Sequence, residues 1–193
     1  MVLEGEDGAS VELSVVGYQF PDVVAPDGDD WDANWLVIAG HVRTCDGRTW
    51  TFRDPGLTTW EVAEVAAWLD RAAAGAISPV PAWTVTDYDA ATGDVDGADT
   101  DGDDDSPFWW DVLHENGWAV FVEPCLTLGV AAGPGEPTSA AVRLLVGLGA
   151  EWAPPPLPER PHAWHCAELR LQPHDLLRAA VELRRELSAF PRR

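Results

Sequence analysis

The sequence contains no lysine, so all twelve of its cationic side chains are arginines. A Walker A phosphate loop, a lysine Schiff base and a Ser-Lys dyad each require a lysine, and all three are therefore excluded. Positive charge is scarce overall, because 33 acidic residues give a formal net charge of −21. A surface this negative repels phosphate backbones and anionic lipids, so we expect neither nucleic acid nor membrane as a partner. A basic protein partner is favoured, and a solvated acidic surface in a salt-loving host is the alternative.

Cysteines and long apolar runs are also few. Cys45, Cys125 and Cys166 are odd in number and widely spaced, which provides no disulfide framework and suits a reducing compartment. No arginine precedes Arg43, the reverse of the basic start of a signal peptide. No uncharged apolar run reaches the roughly 18 residues that a membrane span needs. These features predict a cytoplasmic protein.

Motifs for covalent or metal-assisted hydrolysis are missing as well. The nearest string to a Gly-x-Ser-x-Gly elbow, residues 8–12, ends in glutamate. A zincin helix needs two histidines four residues apart, and residues 114–118 carry tryptophan at the second position. We therefore predict that the chain is not an enzyme. A metal-assisted hydrolase using Asp or His residues is the enzymatic alternative.

Two groups of side chains resemble metal ligands. His162, His165 and Cys166, with one further cysteine, could supply a tetrahedral zinc set. On a strand, however, His165 and Cys166 point to opposite faces, which argues against a shared ion. The run Asp94–Gly102 has carboxylates at alternate positions, but no register supplies both end ligands of an EF-hand. We predict no metal and no cofactor, with adventitious calcium binding as the alternative for the aspartate run.

Apolar periodicity predicts six strands. Over residues 11–20 the alternation changes parity, which indicates a strand with a bulge. Asp46-Gly47 predicts a tight hairpin turn between strands at 34–42 and 48–52, after a loop at 27–32. The later strands are predicted at 118–130, 140–148 and 163–171.

Two helices are expected, one after each set of three strands. Thr58 with Glu61 fits a capping box, and Gly75 ends the apolar stripe that follows. Pro173 opens the last helix. Its apolar positions recur at helical spacing: Leu176, Ala180, Leu183 and Leu187.

This order predicts an α+β fold. We expect a mostly antiparallel sheet of about six strands in two strand-strand-strand-helix halves, with the helices on one face. An apolar fraction of 46% and eleven tryptophans indicate a globular protein. A chain of 193 residues most often forms one domain, so we predict a single domain over 1–193 with an acidic loop or insertion at about 76–116.

Negative charge is concentrated between residues 72 and 142, which contain thirteen acids and no arginine. Large aromatic side chains framed by negative charge are typical of protein-binding hot spots. The alternative for Trp109 and Trp110 is that their rings return the acidic loop to the core. The predicted partner-binding residues are Asp27, Asp29, Asp30, Asp99, Asp101, Asp103, Asp104, Asp105, Trp109 and Trp110.

Several short strings resemble, in order and spacing, those of the WapI family of immunity proteins. The resemblance covers nearly the full length outside residues 76–116, and Cys125 stands where a polar residue is expected. The strings are Gly17-Tyr18-Gln19-Phe20-Pro21, Asp32-Ala33-Asn34-Trp35-Leu36, Trp50-Thr51-Phe52-Arg53-Asp54-Pro55, Leu57-Thr58-Thr59-Trp60-Glu61, Glu123-Pro124, Glu151-Trp152, Pro154-Pro155 and Phe190-Pro191-Arg192.

The resemblance implies a cytosolic antitoxin that binds and neutralises a cognate toxin domain, with no catalysis. In the founding system that domain is an RNA-cleaving nuclease. The positions at turns and strand ends are interpreted as scaffold, and toxin contacts vary with the toxin and are not carried over. The alternative is an acidic, non-catalytic scaffold or subunit of a complex, and a homodimer is conceivable. The scaffold positions are Gly17, Pro21, Asn34, Pro55 and Pro124.

Overall fold

The computed structural model describes residues 1–24, 30–81, 113–121, 125–132, 141–155 and 164–193. These ranges contain eight strands, where about six were expected, and the α+β class is confirmed. The strands are β1 Val2–Glu4, β2 Ser10–Tyr18, β3 Trp35–Arg43, β4 Thr49–Thr58, β5 Ala119–Val120, β6 Leu126–Val130, β7 Val142–Gly149 and β8 Trp164–Leu171. The α-helices are α1 Trp31–Asn34, α2 Thr59–Ala73 and α3 Pro173–Leu187, and Ala150–Trp152 forms a 3₁₀ turn.

The first sheet is antiparallel, in the order β1-β2-β3-β4. The predicted bulge in β2 is confirmed, because the pairing with β3 shifts between Val15 and Gly17. The hairpin turn between β3 and β4 is also confirmed. Gly47 has a φ of +87°, a conformation that favours glycine. The short edge strand β1 was not predicted.

The loop predicted at residues 27–32 is wrong at its end. Residues 27–29 lie outside the described residues, but Trp31 and Asp32 belong to α1. The Asp30 carboxylate accepts a hydrogen bond from Ala33 N at 3.1 Å and caps this single turn. An aspartate followed by a turn of helix is a common N-cap arrangement.

The capping box of α2 is confirmed. Thr58 Oγ1 accepts from Glu61 N, and the Glu61 carboxylate accepts from Thr58 N at 2.8 Å, so two otherwise unpaired donors are satisfied. Helix α3 starts at Pro173 as predicted and packs against α2. Its buried residues are Leu176, Ala179, Ala180 and Leu183, and Leu187 packs partly buried against the same core.

The second sheet is antiparallel, in the order β5-β6-β7-β8. The single strand predicted at 118–130 is wrong, because β5 and β6 are separate strands that pair with each other. The strands predicted at 140–148 and 163–171 correspond to β7 and β8.

One hydrophobic core joins the inner faces of both sheets to the buried faces of α2 and α3. Phe52 on β4 stacks on Trp152, with ring centroids 4.7 Å apart, and Trp50 Nε1 donates to Trp152 O at 3.0 Å. A smaller cluster, made by Val80, Leu113, Trp118 and Leu145, lies on the other face of the second sheet. The two ends of the predicted acidic insertion therefore contribute to a core, and its central residues lie outside the described ranges.

Candidate functional site

The structure describes one of the ten predicted partner-binding residues, Asp30, which is exposed and caps α1. The other nine, and the Asp94–Gly102 run, lie outside the described residues. Those nine are Asp27, Asp29, Asp99, Asp101, Asp103, Asp104, Asp105, Trp109 and Trp110. The candidate site below is built from residues around Asp30, many of which lie in the strings that resemble the WapI family but were not predicted to bind a partner.

Helix α1 carries an exposed tryptophan. The Trp31 ring meets the Trp60 ring edge to face, with centroids 4.9 Å apart, and lies 6.1 Å from the ring of Trp35. Trp60 and Trp35 are half-buried, whereas Trp31 is 46% exposed. The two inner rings therefore hold Trp31 in place and leave much of its indole available for contact.

Further apolar side chains are exposed in the segment that follows β2, which Arg193 links to α1 by hydrogen bonds to Val23 O and Asn34. Phe20 and Val23 are each 39% exposed and Val24 is 67% exposed. We call Phe20, Val23, Val24 and Trp31 the aromatic patch. An exposed apolar cluster bordered by charge is the usual appearance of a protein-binding surface.

An acidic pocket of about 500 Å³ opens beside the patch. Phe20 and Trp35 form its apolar walls, and its described lining has three carboxylates and no cationic side chain. We call it the acidic pocket. Its full lining is Gln19, Phe20, Asp32, Trp35, Asp54, Pro55, Cys125 and Glu151.

Two carboxylates of the acidic pocket, Asp54 and Glu151, repel each other. Burial raises the pKa of Asp54, and the negative charge of Glu151 raises it further. A partly buried carboxylate beside a second negative charge gains from a nearby cation. The pocket is thus arranged to accept an arginine or lysine side chain rather than an anion.

A buried asparagine holds this region together. Asn34 is fully buried; its amide donates to Asp30 O at 2.8 Å and to Arg193 O at 2.7 Å, and its Oδ1 accepts from Arg193 N and Thr59 Oγ1 at 3.0 Å. These contacts join α1, the start of α2 and the segment after α3. The interpretation of Asn34 as scaffold is therefore confirmed.

Two arginines lie close to the patch. The Arg192 guanidinium lies 5.1 Å from the centre of the Trp60 ring, and the Arg193 guanidinium lies 3.4 Å from that of Tyr18. Arg193 Nη1 also donates to Pro21 O and Val23 O, at 2.7 and 3.1 Å. Both cations therefore pack against the protein itself.

The considered zinc ligands are placed on different surfaces. The His165 ring meets the Trp50 ring at 5.3 Å on the main-core side of β8, and Cys166 packs against the smaller cluster on the other side. Burial, and secondarily Glu168, raises the pKa of the Cys166 thiol to about 12, which disfavours the thiolate that zinc requires. Cys45 is exposed and Cys125 is buried in the acidic pocket wall. Within the described ranges no three metal-ligating side chains come together, and His162 lies outside them.

The sequence also carries a signal for Trp31. Trp31 follows Asp27–Asp30 directly, just as Trp109 and Trp110 follow the longer aspartate run. The same reasoning about aromatic residues next to acidic ones therefore applies to both places.

No described helix is both long and apolar enough to cross a membrane.

No curated protein and no solved structure matches this chain. The model of one protein family, described as the immunity protein WapI-like family, matches residues 2–191. The match covers nearly all of the 193 residues and confirms the resemblance carried by the short strings. The chain belongs to the immunity protein WapI-like family.

Proposed function

We propose that the protein is an antitoxin that binds a cognate, basic toxin domain, a nuclease, and neutralises it by covering its cationic surface. Membership of an immunity protein family supports an antitoxin-type role, and such families are generally non-enzymatic. The net charge of −21 supports a basic partner, because opposite charge accelerates encounter and disfavours wrong partners.

The observation that carries the proposal is the aromatic patch beside the acidic pocket. Tryptophan is enriched among the few residues that supply most of the binding energy in interfaces. Trp31 and Phe20 offer apolar area, and Asp54 and Glu151 offer negative charge close by. In the proposed complex, an arginine or lysine of the toxin enters the pocket while the patch packs against apolar side chains around it.

The predicted acidic segments extend this surface in the proposal. We assign Asp27, Asp29 and Asp30 to its edge, because they directly precede Trp31 in the chain. The acidic insertion at about 76–116 supplies further negative charge in the proposal and, through Trp109 and Trp110, further apolar contacts. Its carboxylates are Asp99, Asp101, Asp103, Asp104 and Asp105.

The remaining parts of the proposal concern organisation and location. We propose a single domain over residues 1–193 with an acidic insertion at about 76–116, which is supported by the one core shared by both sheets. Three free cysteines support a cytoplasmic location, and the net charge argues against nucleic acid and membrane partners.

The test needs the cognate toxin domain, which is to be sought as the C-terminal part of a secreted protein encoded by an adjacent gene. The wild-type chain should bind that domain and protect cells that express it. Trp31→Ala should weaken binding by about 30-fold, the loss typical of a central tryptophan worth about 2 kcal/mol.

Leu177→Ala is the matched control, because Leu177 on α3 is also 46% exposed and is not part of the patch. It should change the dissociation constant by less than about threefold. Equal losses for both variants would show that the patch is not the interface. Failure to bind the toxin domain, together with self-association of the chain, would favour a scaffold instead.

A further inference from the structure

Strand β8 is an edge strand of the second sheet. It pairs with β7 on one side, and none of the described strands pairs with its other side in the sheet order. Among the residues that the structure describes, only the end of β8 has a backbone partner on this side, where Glu6 N donates to Arg170 O at 3.1 Å. An uncovered strand edge presents backbone donors and acceptors to any extended chain that can reach it.

The pairing with β7 determines which backbone groups face outward. Arg143 on β7 lies opposite Arg170 on β8. Arg143 O accepts from Ala131 N, so the backbone groups of Arg143 face β6 and not β8. The pair of Arg143 and Arg170 therefore exchanges no backbone hydrogen bonds. The backbone of Arg170 therefore faces away from β7, as its contact with Glu6 also shows. Because strand geometry repeats every two residues, the N–H and C=O groups of Cys166 and Glu168 face the same way.

These groups face a groove of about 1120 Å³. The groove is lined by β8 residues between His165 and Arg170, from both faces of the strand, so it follows the strand edge. Its other walls are the turns around Asp7 and Asp46, which join β1 to β2 and β3 to β4. The edge is thus recessed between two turns. A single extended segment fits into such a recess, whereas an equally recessed edge of a second copy could not approach it.

The groove carries an excess of negative charge. Its lining has four carboxylates and two arginines. Hydrogen bonds from Thr44 Oγ1 and Arg48 N lower the pKa of Asp46, so this carboxylate is ionised at neutral pH. A basic segment therefore complements the groove better than an acidic one.

We propose that the outer edge of β8 accepts an extended, arginine- or lysine-bearing segment of the cognate toxin domain, which adds a strand to the second sheet. Backbone hydrogen bonds to Cys166 and Glu168 supply affinity, and the groove carboxylates select basic side chains. The proposal rests on the antitoxin function proposed above, but it places a second contact at the far end of β4 from the acidic pocket.

Amide hydrogen exchange, measured by NMR on the full chain, tests this directly. The probe is the cognate toxin domain used in the binding test above. In the free chain, the amides of Cys166 and Glu168 should exchange fast because they face the groove. In the complex they should slow by at least about tenfold. The amides of Ala167 and Leu169 pair with β7 and should be protected in both states, which provides an internal control.

A pair of variants gives a second readout. Glu168→Pro removes one outward N–H, which edge strands tolerate, and Glu168→Ala removes the same side chain but keeps the N–H. Glu168→Pro should bind the toxin domain at least about tenfold more weakly than Glu168→Ala.

The outcomes separate the two proposals. A complex that forms without slower exchange at Cys166 and Glu168 would overturn strand addition and leave the antitoxin function standing. Fast exchange must also be seen in the free chain, and slow exchange there would show that the edge is already covered. Absence of any complex would overturn both proposals.

Discussion

Asp54→Asn should stabilise the folded protein and weaken toxin binding. Asp54 is half-buried on β4, and its pKa is raised by burial and by Glu151. A raised carboxyl pKa means that the ionised form is less favourable in the folded than in the unfolded state. Asparagine has nearly the same shape and removes the charge, so it removes this penalty.

The gain is small because the pair is partly solvated. Charge interactions between exposed or partly exposed side chains are typically worth about 0.2–1 kcal/mol. For a chain of this length, such a gain raises the melting temperature by about 1–3 °C. The gain should be present at neutral pH and should disappear as the pH falls through the raised pKa towards the ordinary value of 3.8, because the wild-type carboxyl is then protonated.

Urea unfolding at pH 7 and at about pH 3.5 measures both parts of this expectation. Asp70→Asn is the control: the Asp70 carboxylate pairs with Arg184 between α2 and α3, so its loss should lower stability slightly. The reasoning is refuted if Asp54→Asn lowers stability at pH 7, or if its gain is unchanged at the acid pH. Toxin binding that is unchanged by Asp54→Asn would refute the role of the acidic pocket.

Three further predictions concern the packing and charge of the fold. Trp152→Ala should lower the free energy of unfolding by about 3–5 kcal/mol, because the ring is fully buried. Trp152→Phe should lower it much less, because the buried Trp152 Nε1 has no hydrogen-bond partner among the described residues. Urea unfolding of the two variants measures the difference. Gly40→Ala should cost about 1–3 kcal/mol, since a Cβ there would lie 2.1 Å from Phe52 Cζ; native-like thermal stability would contradict this. Arg143→Met should lower the free energy of unfolding by up to about 1 kcal/mol at pH 7, because Arg143 lowers the pKa of Glu168. The loss should vanish as acid protonates Glu168, and a loss that does not depend on pH would contradict this reasoning.

Local signals predicted most of the secondary structure because their causes lie within a few residues. The capping box at Thr58, the glycine at position 47 and the parity change near Val15 each depend on neighbouring residues alone. Strand β1 has three residues, which is too short for an alternation pattern to register. The division of residues 118–130 into β5 and β6 depends on long-range pairing, which apolar periodicity does not report.

The candidate site was less accessible to sequence reasoning. That an aromatic residue borders acidic residues can be seen in the sequence, but whether its ring is buried depends on distant packing. Trp152 is fully buried and Trp31 is nearly half exposed, although both follow acidic residues. The acidic pocket brings together Asp32, Asp54 and Glu151 from three separate parts of the chain, so no local sequence pattern predicts it.

The central claim is that the negative surface captures a cationic partner. The rate of association with the cognate toxin domain, measured by stopped flow between about 0.05 and 0.5 M salt, tests it most directly, because salt screens charge over distances of about 4–14 Å in this range. The account predicts a rate constant that falls by at least about tenfold over this range, and a smaller fall for Asp54→Asn. A rate that does not change with salt would contradict the account.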